Sequence, residues 1–153
     1  MSTRWMDSPV GGLRLHVSAG LLTAIDFGAR VHGRRVDDPV LDLVERQLGE
    51  YFAGERTEFD VPLANDGTEF QQKVWAQVRR IPYGQTATYG QIAARLGYDN
   101  AVARAVGVAN GANPIPIIVP CHRVIGADGT LTGYSGGIER KTALLQLEQP
   151  GLF

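Results

Sequence analysis

Residues 115 to 124, Ile-Pro-Ile-Ile-Val-Pro-Cys-His-Arg-Val, constrain the chain more than any other stretch. Pro116 and Pro120 fix φ and remove two backbone donors, while the β-branched Ile117, Ile118 and Val119 between them are stiff and apolar. The run reads as a short buried strand that turns outward at Cys121, the only cysteine of 153 residues. A lone cysteine is ordinarily a small core hydrophobe. With His122 directly after it, Cys121 is also a candidate nucleophile, provided that a base, a cation or a helix N-terminus makes its thiolate accessible.

Composition narrows the class. A chain that is 44% hydrophobic and 20% charged buries a core without staples. One cysteine excludes an intrachain disulfide, and with His16, His32 and His122 it cannot supply several Cys and His ligands at zinc spacing, so no metal is expected. Neither a signal peptide nor a membrane span is legible, and the reading is a soluble cytoplasmic protein. The net charge of −1 argues against a strongly basic nucleic-acid binder. The charge is uneven, however. Residues 1–65 hold 7 Lys+Arg against 10 Asp+Glu, a net of −3, and residues 66–153 hold 8 against 6, a net of +2. A mildly basic second half permits DNA contact.

The first half reads as a three-stranded meander. It has a turn at 8–12, alternation at Leu13, Leu15 and Val17, a break at Ala19-Gly20, and a third strand from Leu21 to Phe27. His16 falls on the polar side of that alternation. The loop from Gly28 to Asp38, with Arg30, His32, Arg34 and Arg35, reads as solvated, a phosphate contact being the alternative. Asp37 or Asp38 before Pro39 starts a helix whose face is Val40, Val44, Leu48, Tyr51 and Phe52, ending at Gly54 and covering the sheet. Phe59 to Leu63 is a candidate fourth strand. Turn residues at 64–67 mark the boundary between domains 1–65 and 66–153.

In the second half, Thr68 and Gln71 form a capping box for a helix with Phe70, Val74, Trp75, Val78 and Ile81 on its apolar stripe. A short helix from Thr88 or Tyr89 to Leu96, a stop at Gly97, and another helix from Ala101 to Asn110 have the order of a helix-turn-helix. The second of these contains one long side chain, Arg104. It is either a buried helix packed closely on its neighbours or one able to enter a nucleic-acid groove. After Cys121, a hairpin turning at Asp128-Gly129 and returning through Leu131 and Thr132 suggests a wing. A glycine loop at 133–137 precedes a last helix with Leu144, Leu145 and Leu147 inward, stopped by Pro150.

His122 is the base candidate for the thiol, through a water because adjacent side chains diverge, and Asp128 or Glu148 is the carboxylate that holds the imidazole. Taken together, Asn113-Pro114, Pro120-Cys121-His122-Arg123-Val124 and Gly133-Tyr134-Ser135-Gly136-Gly137 closely resemble the O6-alkylguanine-DNA alkyltransferases, over nearly all of 68–148 and more loosely before it. The resemblance implies an α+β fold. A small N-terminal sheet with a covering helix, RNase H-like, precedes a mostly helical winged helix-turn-helix domain.

It also implies that Cys121 accepts an alkyl group irreversibly from guanine in double-stranded DNA, with His122, a water and Glu148 as the relay and Asn113 tying the helix-turn-helix to this segment. Tyr89 acts on the target phosphate, and Arg104 fills the stack left by the flipped nucleotide in the minor groove. The carbonyls of Cys121 and Val124 and the amide of Ser135 read the base, which Tyr134 walls. No cofactor is implied, and the protein is expected to be a monomer. Relatives with zinc or a cysteine-rich adapter differ from this chain, which lacks the cysteines for either. Two other readings stand beside this one: a non-enzymatic lesion-binding relative that recruits another pathway, which the presence of Cys121 disfavours, and a winged-helix regulator with an inert cysteine.

Overall fold

The computed structural model describes residues 1–30, 33, 35–131 and 133–151. Within it the chain forms two compact units, Met1–Asp66 and Gly67–Phe153. The architecture is α+β, with a small sheet and helix in the first unit and a mostly helical second unit.

The first unit is an antiparallel meander of β1 (Ser2–Met6), β2 (Leu13–Ser18) and β3 (Leu21–Phe27), in that order across the sheet. The period-2 alternation puts Leu13, Leu15 and Val17 on the buried side. His16 lies on the other side as expected, half-buried, with Nε2 2.8 Å from Asp26 Oδ2. The expectations for His32, Arg34 and Thr132 fall outside the described residues.

Helix α1 (Pro39–Phe52) starts where Asp38 accepts hydrogen bonds from the Val40 and Leu41 amides, with Pro39 in the first turn. It packs on all three strands. Its buried face is Leu41, Val44, Gln47, Leu48 and Tyr51, so the stripe is rotated from the expected one; Val40 and Phe52 are only half-buried. Gln47 belongs inside because its amide exchanges two hydrogen bonds with the Asp60 backbone, at 2.9 and 3.2 Å. The fourth strand reduces to a single parallel bridge between Leu22 and Leu63. Pro62 has no amide to donate and contributes only its carbonyl, to Leu22 at 2.9 Å.

In the second unit α2 (Glu69–Val78) begins with the expected capping box. The Trp75 indole donates to Ala109 O at 2.8 Å, pinning α2 to α4 (Ala103–Gly111). Helix α3 (Tyr89–Arg95) has a second capping box, Thr88 with Gln91, and packs against α4 as the first half of the helix-turn-helix. A short 3-10 turn, Asn100–Val102, replaces the expected start of α4. The composition of α4 does not make it a fully buried helix. Val106, Ala109 and Asn110 face inward, whereas Arg104 and Ala105 are exposed and Val108 is 70% exposed.

Two sequence expectations are overturned here. Ile117 to Val119 are buried but form consecutive turns, not a strand, because prolines on both sides prevent ladder pairing. After Cys121 a tight turn forms, with Gly126 N donating to Thr130 O at 3.0 Å, but Leu131 is not in a strand. Instead β5 (Val124–Ile125) pairs in parallel with β4 (Ala87–Thr88), which ties the cysteine segment to the start of α3. Helix α5 (Ile138–Glu148) buries Lys141, Leu144, Leu145 and Glu148, and Leu147 is half-buried.

Candidate active site

The cysteine is held by turns. Val119 N donates to Ile115 O at 3.0 Å and Ile118 N to Pro116 O at 2.9 Å, the latter closing a three-residue turn around Ile117 at φ 73°. That is the rarer and more strained hand of such a turn, and for a β-branched residue the conformation is a true outlier. Cys121 N then donates to Val119 O at 2.7 Å across Pro120, and Cys121 opens the 3-10 turn Cys121–Arg123. Asn113 clamps this geometry, donating from Nδ2 to Val119 O at 2.9 Å and accepting from Ile115 N at 3.0 Å. Strain kept in place by its surroundings is a feature of functional sites.

Cys121 is 2% exposed. Burial pushes its thiol up to about 11, against the opposing pull of the Asn113 side chain, the Lys141 charge and the backbone amides of Cys121 and His122. The resting group is therefore a neutral thiol. His122 is fully buried, with Nε2 2.7 Å from Glu148 Oε2. Burial holds the imidazole below its ordinary range even though Glu148 pulls the other way, so it is neutral. For Glu148, burial raises the carboxyl, but hydrogen bonds from His122 and Arg123 win and hold it at about 2. An ionised carboxylate only accepts, so Nε2 carries the proton and Nδ1 presents its lone pair. That buried Nδ1 has no hydrogen-bond partner among the described residues.

Arg123 pairs with the same carboxylate. Its Nε and Nη2 donate to both oxygens of Glu148, at 2.8 and 3.0 Å, and Nη1 donates to Ile81 O at 2.7 Å. The guanidinium already neutralises Glu148, which is why the carboxylate can orient His122 without charging it. Asp128, the other candidate carboxylate, is exposed and accepts from Thr130 N.

Two buried groups escaped the sequence reading. Lys141 donates from Nζ to Val124 O at 2.6 Å, and burial lowers its ammonium to about 8 while Cys121 favours the charge. A signal for it existed. Lys141, Leu144, Leu145 and Glu148 are spaced i, i+3, i+4, i+7, so the two polar residues end one apolar stripe. The other is Asn110, whose side chain reaches Cys121 O.

Cys121, His122, Glu148, Asn113 and Val124 come together, with Tyr134 buried beside the thiol, which with burial pushes the phenol up. Tyr89 lies against two glycines. A Cβ on Gly107 would sit 3.6 Å from its ring and one on Gly133, at φ 71°, 3.3 Å from its hydroxyl, so Tyr89 borders the glycine loop. Ser135 and Arg104 are exposed, and Arg104 makes no hydrogen bond or ion pair among the described residues.

A small sheet-and-helix unit followed by a mostly helical unit that holds a helix-turn-helix and a buried Cys121-His122-Glu148 cluster defines a class of cysteine-bearing DNA-binding proteins. The family described as "6-O-methylguanine DNA methyltransferase, DNA binding domain" matches residues 69–150, and "6-O-methylguanine DNA methyltransferase, ribonuclease-like domain" matches residues 1–65. A "Methylated-DNA--protein-cysteine methyltransferase" of Methanosarcina acetivorans is 61% identical over 148 residues, covering 93% of this chain and 94% of the relative. One of Mycobacterium tuberculosis is 53% identical over 152 residues, covering 95% and 91%. The crystal structure of Mycobacterium tuberculosis OGT in complex with DNA is similar at TM-score 0.86 and 52% identity, covering 96% of this chain and 92% of that one. The chain belongs to the 6-O-methylguanine DNA methyltransferase family.

Proposed function

We propose that the protein is a single-turnover DNA repair methyltransferase that flips an O6-alkylguanine, mainly O6-methylguanine, out of duplex DNA and takes its alkyl group irreversibly onto Cys121. The observation that carries this reading is the buried order Cys121, His122, Glu148, in which a neutral imidazole offers Nδ1 as a base. A thiol at about 11 is ionised only to ~10⁻⁴ at pH 7, roughly 5 kcal/mol of unfavourable free energy. A standing thiolate is thus too rare, and deprotonation is coupled to the arrival of the substrate.

In that step the thiol proton passes to His122 Nδ1 through a water. The S–C bond forms as the alkyl C–O6 bond breaks, and the electron pair of that bond stays on the guanine. The imidazolium, held by Glu148, gives its proton on to the guanine, which remains in the DNA unmodified. Lys141 favours the transient thiolate. Asn113 keeps the cysteine turn in register, Tyr134 walls the base, and the carbonyls of Cys121 and Val124 with the Ser135 amide read its edge. Extruding the base costs roughly a few kcal/mol, which Tyr89 at the phosphate and the Arg104 finger offset.

The outward Ala105 and Val108, small for a recognition helix, support close entry into a minor groove. All groups of the step come from one chain, which supports action as a monomer, and a thiol that must stay reduced suits the cytoplasm. The modest positive charge of residues 66–153 suits weak, sequence-tolerant searching with a shallow salt slope.

Incubated with duplex DNA carrying O6-methylguanine, the protein gains one methyl on Cys121 at about one equivalent, and Cys121→Ala binds the duplex and gains nothing. Tight lesion binding without mass gain by the intact protein overturns this in favour of a lesion-binding protein. Arg104→Ala keeps the fold and slows transfer from duplex DNA; unchanged kinetics remove the finger role.

A further inference from the structure

Asn110 sits on the inner face of α4, 2% exposed and one turn before Asn113. Its Nδ2 donates to Cys121 O at 3.2 Å, and its Oδ1 is buried with no hydrogen-bond partner among the described residues. A residue present only to fill space would not carry that burden, because a leucine of similar volume leaves no acceptor unmet. The amide is kept for what it donates to.

The accepting carbonyl belongs to the peptide between Cys121 and His122. That unit is planar and trans, so its C=O and the His122 N–H point in opposite directions as one rigid body. The His122 amide is one of the groups that favour the Cys121 thiolate, together with the Cys121 amide and the Asn113 side chain. Asn113 fixes the chain before the cysteine through Val119 O, and Asn110 fixes the peptide after it. We propose that Asn110 is a positioning residue for the nucleophile: by holding the Cys121 carbonyl it aims the His122 amide at Sγ and steadies the thiolate as it forms. The other charged or titratable groups around the sulfur are His122, Lys141 and Glu148 from α5, and Tyr134 from the glycine loop, and the Asn110 side chain hydrogen-bonds to none of their side chains. The proposal rests on Cys121 as the reacting group and not on guanine as the substrate.

The test is Asn110→Leu, with Asn110→Met as a second variant should the first not fold, each checked by thermal melting. Two readouts separate positioning from packing. With cysteine labelled at Cβ, the carbon resonance of the single thiol reports its titration between about pH 7 and 11, and its onset in the variant moves up by about one unit, a tenfold change in thiolate. Iodoacetamide then alkylates the variant more slowly, by about threefold, because the greater nucleophilicity of a more basic sulfur offsets part of the lost thiolate. Loosened packing alone gives the opposite sign, since it exposes a buried sulfur and speeds attack. An unmoved titration, or faster alkylation, overturns the proposal even if methyl transfer from DNA is slowed. A shifted titration in a protein whose intact form takes no methyl from O6-methylguanine sustains the proposal and removes the reading of function instead.

Discussion

Among the described residues each unit buries one arginine against acidic side chains, two for Arg4 and one for Arg123, and the two clusters are built for different ends. Arg4 in the first unit is 2% exposed and meets Asp42 at 2.7 Å, Glu45 at 3.2 Å and the Val36 carbonyl. Its partners look outward, the Asp42 side chain being 65% exposed, so water shares the charge. Arg123 in the second unit meets a carboxylate that is 1% exposed and is also bound to a histidine. The first cluster closes a helix onto a sheet. The second sets the charge state of a buried imidazole, because a carboxylate already neutralised by Arg123 orients His122 without making it a cation.

The strongest test of that contrast is Glu148→Gln. It leaves Arg123 buried and unpaired, so unfolding free energy falls by about 3–5 kcal/mol. Methyl transfer falls by about 10²–10⁴ as the imidazole loses its orienter. Denaturant unfolding and single-turnover kinetics read the two effects. The same substitution removes a pH dependence. Glu148 titrates lower in the folded chain, at about 2, than at its ordinary 4.5. Its contribution is therefore fully present above about pH 4.5 and is lost as pH falls towards 2, about 3 kcal/mol over that window. Acid titration of stability in the variant should lack this limb, and an unchanged limb rules Glu148 out as its source.

Next in size is Arg123→Met. It should also cost about 3–5 kcal/mol, because it strands Glu148. Arg123 helps to keep His122 neutral, so its removal raises the imidazole and moves the acid limb of the transfer rate to higher pH. A pH-rate profile displaced downward or not at all contradicts the assigned role.

Methylation of Cys121 comes third. It adds a methyl to a filled position and should lower stability by about 1–3 kcal/mol, seen as a lower Tm of the alkylated protein. The smallest effect is expected from Arg4→Met. Its carboxylates can turn to water, so stability should change by no more than about 1 kcal/mol, in either direction, with methyl transfer intact. A loss as large as that of Arg123→Met erases the difference between the two clusters.

Much of the local structure was legible in the sequence. Asp38-Pro39, Thr68 with Gln71, and Gly97 act over four residues or fewer, and the helices begin and end around them. The alternation of Leu13, Leu15 and Val17 identified the sheet face for the same reason. The order Pro120-Cys121-His122 was enough to single out the thiol and the imidazole as candidates, but on the residues alone Asp128 and Glu148 stood equal as the carboxylate, and it is the fold that brings Glu148 to His122. Misreadings arose where a local pattern met a distant partner. Ile117 to Val119 look like a strand until no neighbour can pair with them, and β5 found its partner in β4, far upstream and in parallel.

Chain-local chemistry thus determined by itself where the capped helices start, where the chain turns, and which residue carries the single thiol. Only the tertiary structure decided the protonation states around that thiol. Arg123 reaches Glu148 across 25 positions and the Ile81 carbonyl across 42. Lys141 is lowered, and the Cys121 thiol raised, by burial that several elements create together. Propensity and capping act between near neighbours, whereas desolvation and ion pairing depend on everything packed around a group, and that is settled only when the chain has folded.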